Sequence, residues 1–278
     1  MPELPEVETI RLGLEPILVG RRLVRVEARR PDLRAPLPPD FVERLAGARV
    51  DGLRRRAKYM LAPLDRGETL IVHLGMSGRF VVGAAEDPTA GDPPHGHVVF
   101  VTDAGRRLLF VDPRRFGLID LVATARIGED PRLVGLGPEP LGSEFTADHL
   151  RRAFAGSRQP IKARLLDQRV IAGLGNIYAC EALHGARIHP AAAAGEIGPP
   201  ALGRLVTAVR KVLLEAIAAG GSTLRDFAHA DGGAGAFQHD FAVYDRAGQP
   251  CPRRGCGGTI ARIVQAGRST FFCPGCQG

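Results

Sequence analysis

From residue 23 to residue 122 apolar positions recur in short bursts. Val24, Val26 and Ala28 alternate with Arg25, Glu27 and Arg29, a period of two that predicts a half-buried strand. Further strand-like runs follow at 69–74, 97–102, 107–111 and 118–122, separated by Gly, Pro and Asp. Short strands at this spacing predict a sandwich or barrel. Ahead of them, residues 2–18 read as a helix, with prolines and carboxylates in the first turn and Gly20 after the end. Later the period changes to that of a helix. Leu202, Leu205, Val206, Val209, Val212, Leu213, Ala216 and Ile217 form one apolar stripe, stopped by Gly220-Gly221. Residues 131–143 break both patterns and read as a linker, and residues 230–236 read as a Gly-rich loop. The expected fold is therefore α+β: a β-domain with an N-terminal helix over 1–130, a linker over 131–143, a helical domain over 144–236 and a small tail module over 237–278.

Composition narrows the class. Hydrophobic residues are 45% and charged residues 24% of the 278, an ordinary globular profile. The 35 Gly and 22 Pro exclude an all-helical chain. A formal net charge of +7 favours a polyanionic partner. No apolar run of membrane-spanning length occurs and no secretory signal opens the chain, so an intracellular protein without a membrane partner is expected. Only three of the 37 basic residues are lysines, Lys58, Lys162 and Lys211. Each deserves individual reading, because a lysine can change its charge state and an arginine effectively cannot.

Four of the five cysteines lie at Cys251, Cys256, Cys273 and Cys276. Two close pairs separated by sixteen residues are metal-ligand spacing, and four thiolates suit one structural Zn2+ with no position open to substrate. Between the pairs, a strand over 259–265, a turn at Ala266-Gly267 and a strand over 268–272 predict a zinc-stapled hairpin with Arg268 just past its tip. Arg253, Arg254, Arg262 and Arg268 make phosphate contact the better reading of this module than a bare structural knuckle. Cys180 stands alone in a helical pattern and reads as a small buried hydrophobe.

The N-terminus offers a second chemistry. Loss of Met1 would expose Pro2 as a secondary amine, with Glu3 beside it. An α-amino group with a reference pKa of ~7.7–8.0 is partly unprotonated at neutral pH and can attack a sugar's anomeric carbon to form an iminium. Glu3 could then serve as acid or base. A plain helix start accounts for the prolines equally, and on these residues alone both readings stand.

Several motifs together resemble one family. They are PELPEVET at 2–9, Lys58 within RRRAKYML, HLGMSGR at 73–79, DPRRFG at 112–117, LGPEPL at 136–141, Ile161-Lys162 followed by LLDQ, AGLGNIY at 172–178, GGSTLRDF at 220–227 and GRSTFFC in the tail. In this order they are similar to the formamidopyrimidine-DNA glycosylase / endonuclease VIII family, and Leu4 favours the branch that acts on purine lesions. The resemblance implies an N-terminal β-sandwich, a helix-two-turns-helix domain and a C-terminal zinc-finger β-hairpin. It implies excision of 8-oxoguanine and formamidopyrimidines from double-stranded DNA, followed by β,δ-elimination of the strand, in a monomer of the bacterial cytoplasm associated with the nucleoid. By the same resemblance Pro2 forms the Schiff base, Glu3 is its acid/base partner, Lys58 assists β-elimination and Arg268 contacts phosphate in δ-elimination. Met76 and Phe116 match side chains inserted into the emptied stack, and Arg114 matches the one that pairs with the orphaned base. His95, Arg158, Lys162 and Asn176 match DNA-backbone contacts, Glu181 a glutamate near the lesion pocket, and the loop at 230–236 a lesion-capping loop. On their own patterns Lys58 reads as a solvated strand lysine and Glu181 as a helix-surface carboxylate.

The chain departs from the family pattern in four places. The Cys251–Cys256 spacing is wider than usual, Pro94 replaces a common Lys, Arg158 stands where Lys is common, and Ala236 stands where an aromatic is frequent. Two other readings compete: an endonuclease VIII-like preference for oxidised pyrimidines, and a catalytically silent DNA-binding protein on the same scaffold.

Overall fold

The computed structural model describes residues 2–85, 92–222 and 235–278. Most of the 230–236 loop therefore lies outside the described residues, as does Met1. The described residues fall into two compact units, one from Met1–Val134 with Ala219–Ala236, the other from Gly135–Ala218 with Phe237–Gly278. The division falls inside the 131–143 stretch. Residues 219–222 and 235–236 pack with the first unit, not with the helical segment they follow, because Ser222 is hydrogen-bonded to Glu6.

In the first unit α1 (Leu4–Leu18) leads into β1 (Leu23–Ala28), a short α2 (Phe41–Leu45), β2 (Arg54–Arg56), β3 (Tyr59–Pro63), β4 (Glu68–His73), β5 (Arg79–Ala84), β6 (Gly96–Thr102), β7 (Arg106–Val111) and β8 (Leu118–Ala123). The strands make two antiparallel four-stranded sheets, ordered β1-β6-β7-β5 and β2-β3-β4-β8. One core serves both sheets and α1, and includes Val7, Ile10, Leu14, Val26, Met60, Val72, Phe80, Val98, Phe100 and Phe110. β6 explains its unbroken apolar run. Val98 and Phe100 face this core while Val99 and Val101 bury a separate cluster on the other face with Leu109 and Val111.

The expected phase of β1 is wrong at its start. Leu23 and Val26 are buried and Val24 is 56% exposed. The register shifts between Leu23 and Arg25, and such a bulge re-aims the side chains that precede it.

The second unit contains α3 (Ala147–Phe154), α4 (Ile161–Leu165), α5 (Asn176–Ala186) and α6 (Pro199–Ala218), then the hairpin of β9 (Ala261–Gln265) and β10 (Arg268–Phe272). The apolar stripe of α6 is buried from Leu202 to Ala216. The hairpin turns on Ala266 and Gly267, both at positive φ (47° and 72°), which a two-residue turn matching the strand twist requires.

Candidate active site and metal centre

The first unit assembles its chemistry on α1. The helix starts at Leu4, not Pro2, with Glu3 as its N-cap. Pro2 and Glu3 are buried. The backbone N–H of Glu3 donates to Glu6 Oε2 at 2.9 Å, while the other oxygen of Glu6 accepts from the N–H and Oγ of Ser222 at 2.9 and 3.0 Å. One buried carboxylate thus holds both the Pro2–Glu3 backbone and the segment that leads into the Gly-rich loop.

Lys58 sits in the tight turn between β2 and β3, after Ala57 at φ 52°, and is 7% exposed. It is not the solvated lysine its pattern suggests. Arg55 donates to Glu8 Oε2 at 2.9 Å, and Arg11 to the Leu53 carbonyl at 3.1 Å, so α1 grips the strand that leads into the Lys58 turn. His73 feels its charge. Burial first, then Lys58 and Arg34, lower the His73 pKa to about 4.

Met76, His95, Arg114 and Phe116 are organised by a residue the sequence reading passed over, Asp112. It is fully buried, with Oδ1 accepting from Ser77 Oγ at 2.6 Å and Oδ2 from the Gly117 N–H at 2.7 Å. Its own N–H donates to the His95 carbonyl at 3.0 Å, and Ser77 Oγ accepts the Arg114 N–H at 3.2 Å. A side chain on Gly75 would place its Cβ 2.3 Å from the Phe116 carbonyl carbon, so the two loops can touch only through glycine. Phe116 is exposed, with the Arg114 guanidinium 4.9 Å above its ring. Met76 is half-buried. His95, at φ 68°, is exposed.

In the second unit Gly173 (φ 81°) and Gln168 shape the turn before α5. Gln168 accepts the Gly173 N–H and donates to the Leu174 carbonyl, both at 2.8 Å. Asn176 then opens α5 and donates to the Ser269 carbonyl at 3.0 Å and to Tyr244 at 3.4 Å. Lys162 departs from its expected place on the DNA backbone. It is 1% exposed and donates to the same Ser269 carbonyl at 3.1 Å and to Thr270 Oγ1 at 2.6 Å. A buried ammonium must satisfy its protons internally, and the hairpin supplies the acceptors. Arg268, one residue before this anchor, is exposed, as is Arg158.

Glu181 is not the helix-surface carboxylate its pattern suggests. It is buried, and its two oxygens accept the N–H groups of Ala242, Val243 and Tyr244 at 2.8–3.0 Å. Burial pushes its pKa up against these three donors. The carboxylate is an internal clamp on the chain leading to the hairpin. Tyr244 and Asp112 escaped the sequence reading because their roles come from partners distant in the chain. The one local signal was Asp112 opening DPRRFG.

The four tail cysteines come together. Their Sγ atoms all lie within 4.8 Å of one another, with Cys256–Cys273 at 3.5 Å and Cys251–Cys276 at 3.9 Å. Sulfurs around a tetrahedral zinc with bonds of ~2.3 Å stand roughly 3.8 Å apart, so the set fits that ion. Burial raises the Cys276 thiol to about 12 and also raises Cys251, so these two need a cation beside them to ionise, while the Gly258 N–H lowers Cys256. Gly258 supports the cradle, since a Cβ there would lie 2.8 Å from Cys273 Sγ.

Comparison with known proteins adds to this geometry. Family models described as "Formamidopyrimidine-DNA glycosylase N-terminal domain", "Formamidopyrimidine-DNA glycosylase H2TH domain" and "Zinc finger found in FPG and IleRS" match residues 1–119, 136–228 and 248–278. Proteins named formamidopyrimidine-DNA glycosylase from Phenylobacterium zucineum (strain HLK1) and Caulobacter sp. (strain K31) are 60% and 57% identical, covering 100% of both chains. The crystal structure of the Fpg (MutM) protein from Thermus thermophilus superposes with a TM-score of 0.87 at 43% identity, over 100% of this chain and 99% of that one. A complex of Lactococcus lactis Fpg with abasic-site DNA superposes at 0.89 with 34% identity, over 99% of each.

Proposed function

This chain belongs to the formamidopyrimidine-DNA glycosylase family, and we propose that it cleaves oxidised purines from DNA through a Schiff base on Pro2. It is a DNA glycosylase of base excision repair and an abasic-site lyase. Its partner is DNA, and its tail carries a zinc-finger site.

The reaction follows from the chemistry of the residues. The Pro2 nitrogen attacks C1′ of the damaged nucleotide, the C1′–base bond breaks, and the base leaves with its electron pair and takes up a proton. Glu3 protonates O4′, the sugar ring opens, and the C1′–nitrogen bond becomes an iminium. The iminium draws electrons from C2′, a proton leaves there, and the 3′ phosphate departs. A second elimination expels the 5′ phosphate, and water returns the amine. Lys58 assists the first elimination, and Arg268 binds the phosphate. We favour phosphate binding over proton donation for Arg268, because a guanidinium rarely gives up a proton. Phe116 and Met76 fill the vacated stack, and Arg114 meets the unpaired base. His95, Arg158 and Asn176 hold the backbone. Zinc supplies only the rigidity of the hairpin that carries Arg268, and no bond is made or broken at it. A cytoplasmic, nucleoid-associated location goes with this substrate. Among the described residues no helix is long and apolar enough to cross a membrane.

The observation that carries the reading is the buried Pro2–Glu3 pair at the head of α1, with Glu6 holding its backbone. Borohydride trapping on an 8-oxoguanine·cytosine duplex tests it, with mass spectrometry locating the adduct. A reduced adduct on Pro2 is expected. An adduct on Lys58 overturns the nucleophile, and binding with no adduct supports a catalytically silent DNA-binding protein.

A further inference from the structure

The knuckle between Cys251 and Cys256 holds Pro252, Arg253, Arg254 and Gly255, two residues more than the family usual. Arg254 is exposed, as a phosphate-seeking arginine should be, and Arg253 is not. Its guanidinium turns inward and donates from Nη2 to the His184 carbonyl at 2.7 Å, at the end of α5. Its Nε–H is buried and, among the described residues, meets no hydrogen-bond partner. From the helix side, His184 places Nε2 3.5 Å from Cys251 Sγ, and His184 is itself 6% exposed.

We propose that Arg253 and His184 are outer donors to the zinc-bound thiolates, and that the widened knuckle serves to insert Arg253 between the metal cluster and α5. Four thiolates on one divalent cation leave two negative charges in a half-buried site. The His184 ring N–H at Cys251 and the guanidinium charge of Arg253, whose buried Nε–H is left over for sulfur, offset them. A zinc-bound thiolate only accepts, so His184 donates from Nε2. Because Arg253 also holds the His184 carbonyl, metal retention and the seating of the tail on α5 depend on the same pair. α5 meets the tail apolarly as well, with Cys180 packed in a cluster with Val243, Ile260, Phe271 and Cys273.

The test is zinc release from the full-length protein under excess chelator, followed with a metallochromic indicator. Outer partners of metal ligands are typically worth ~10–100-fold in metal affinity. Arg253→Met and His184→Leu should each release zinc at least about tenfold faster, His184→Gln should recover part of the loss, and Arg254→Met should behave as the parent. In the cobalt-loaded protein, the thiolate-to-metal charge-transfer band should shift in Arg253→Met and His184→Leu and stay put in Arg254→Met. Release within twofold of the parent together with an unmoved band in both variants overturns the proposal. Should the apolar variants fail to fold, Arg253→Lys decides. It keeps the charge but cannot reach both the carbonyl and sulfur, so release must still quicken, and parent-like release overturns the inference.

Discussion

His73 ends β4 with Nδ1 accepting the Gly75 N–H at 3.0 Å, so the neutral ring carries its proton on Nε2. The ring lies 4.8 Å from that of Tyr59, and burial, Lys58 and Arg34 together lower its pKa to about 4 from 6.5. The lowered pKa fixes the sign of a stability effect. The unfolded chain takes up the proton first as pH falls, so His73 contributes stability fully above about pH 6.5 and loses it toward pH 4. At 1.36 kcal/mol per pKa unit the loss is at most about 3 kcal/mol. Urea melts from pH 7.5 to 4.5 should show the decline, and His73→Gln should flatten this part of it. An unchanged slope in the variant would assign the decline to other groups. In the sequence His73 is marked only as the first residue of HLGMSGR. Its tautomer depends on Gly75 and its charge on Lys58, and the lysine is distant in the chain.

At the scale of elements, α4 and the zinc hairpin are joined by one ammonium. Lys162 and Arg158, only four residues apart, were assigned the same role, yet one is buried against Ser269 and Thr270 and the other is exposed. Their variants should therefore separate. Lys162→Met takes the donor from Thr270 Oγ1 while Asn176 still serves the Ser269 carbonyl, and a buried hydrogen bond from a charged group is worth about 2 kcal/mol, so the melting temperature should fall by a few degrees. Arg158→Ala should leave melting unchanged, weaken DNA binding alike for every sequence and lower the salt slope by about one. Equal melting temperatures for Lys162→Met and the parent would contradict the anchor. Periodicity cannot draw this distinction. A lysine on a five-residue helix carries no repeat long enough to show which way it faces, and its acceptors lie more than a hundred residues away.

At the scale of the molecule, the charge of +7 and the exposed Arg114, Arg158 and Arg268 call for a salt-dependent affinity. Each neutralised phosphate contributes a slope of about 0.9 to log affinity against log salt. Titrations of a lesion-containing duplex between 50 and 200 mM salt should show several such contacts, and a flat response would reject phosphate binding by these arginines. The sequence by itself determined the classes of element, the zinc ligands, the family and the candidate nucleophile. The elements and the zinc ligands follow from local spacing, period two for the strands, the stripe on α6 and the paired cysteines, whereas the family and the role of Pro2 rest on the resemblance of several motifs in one order. Tertiary structure alone decided which charged groups are inside. Lys162, Glu181 and Arg253 carry no local mark of burial. Each turns inward because backbone carbonyls or backbone amides from a distant segment meet its polar atoms. Burying a charge is costly unless such partners converge, and convergence is a property of the folded chain, not of spacing along it.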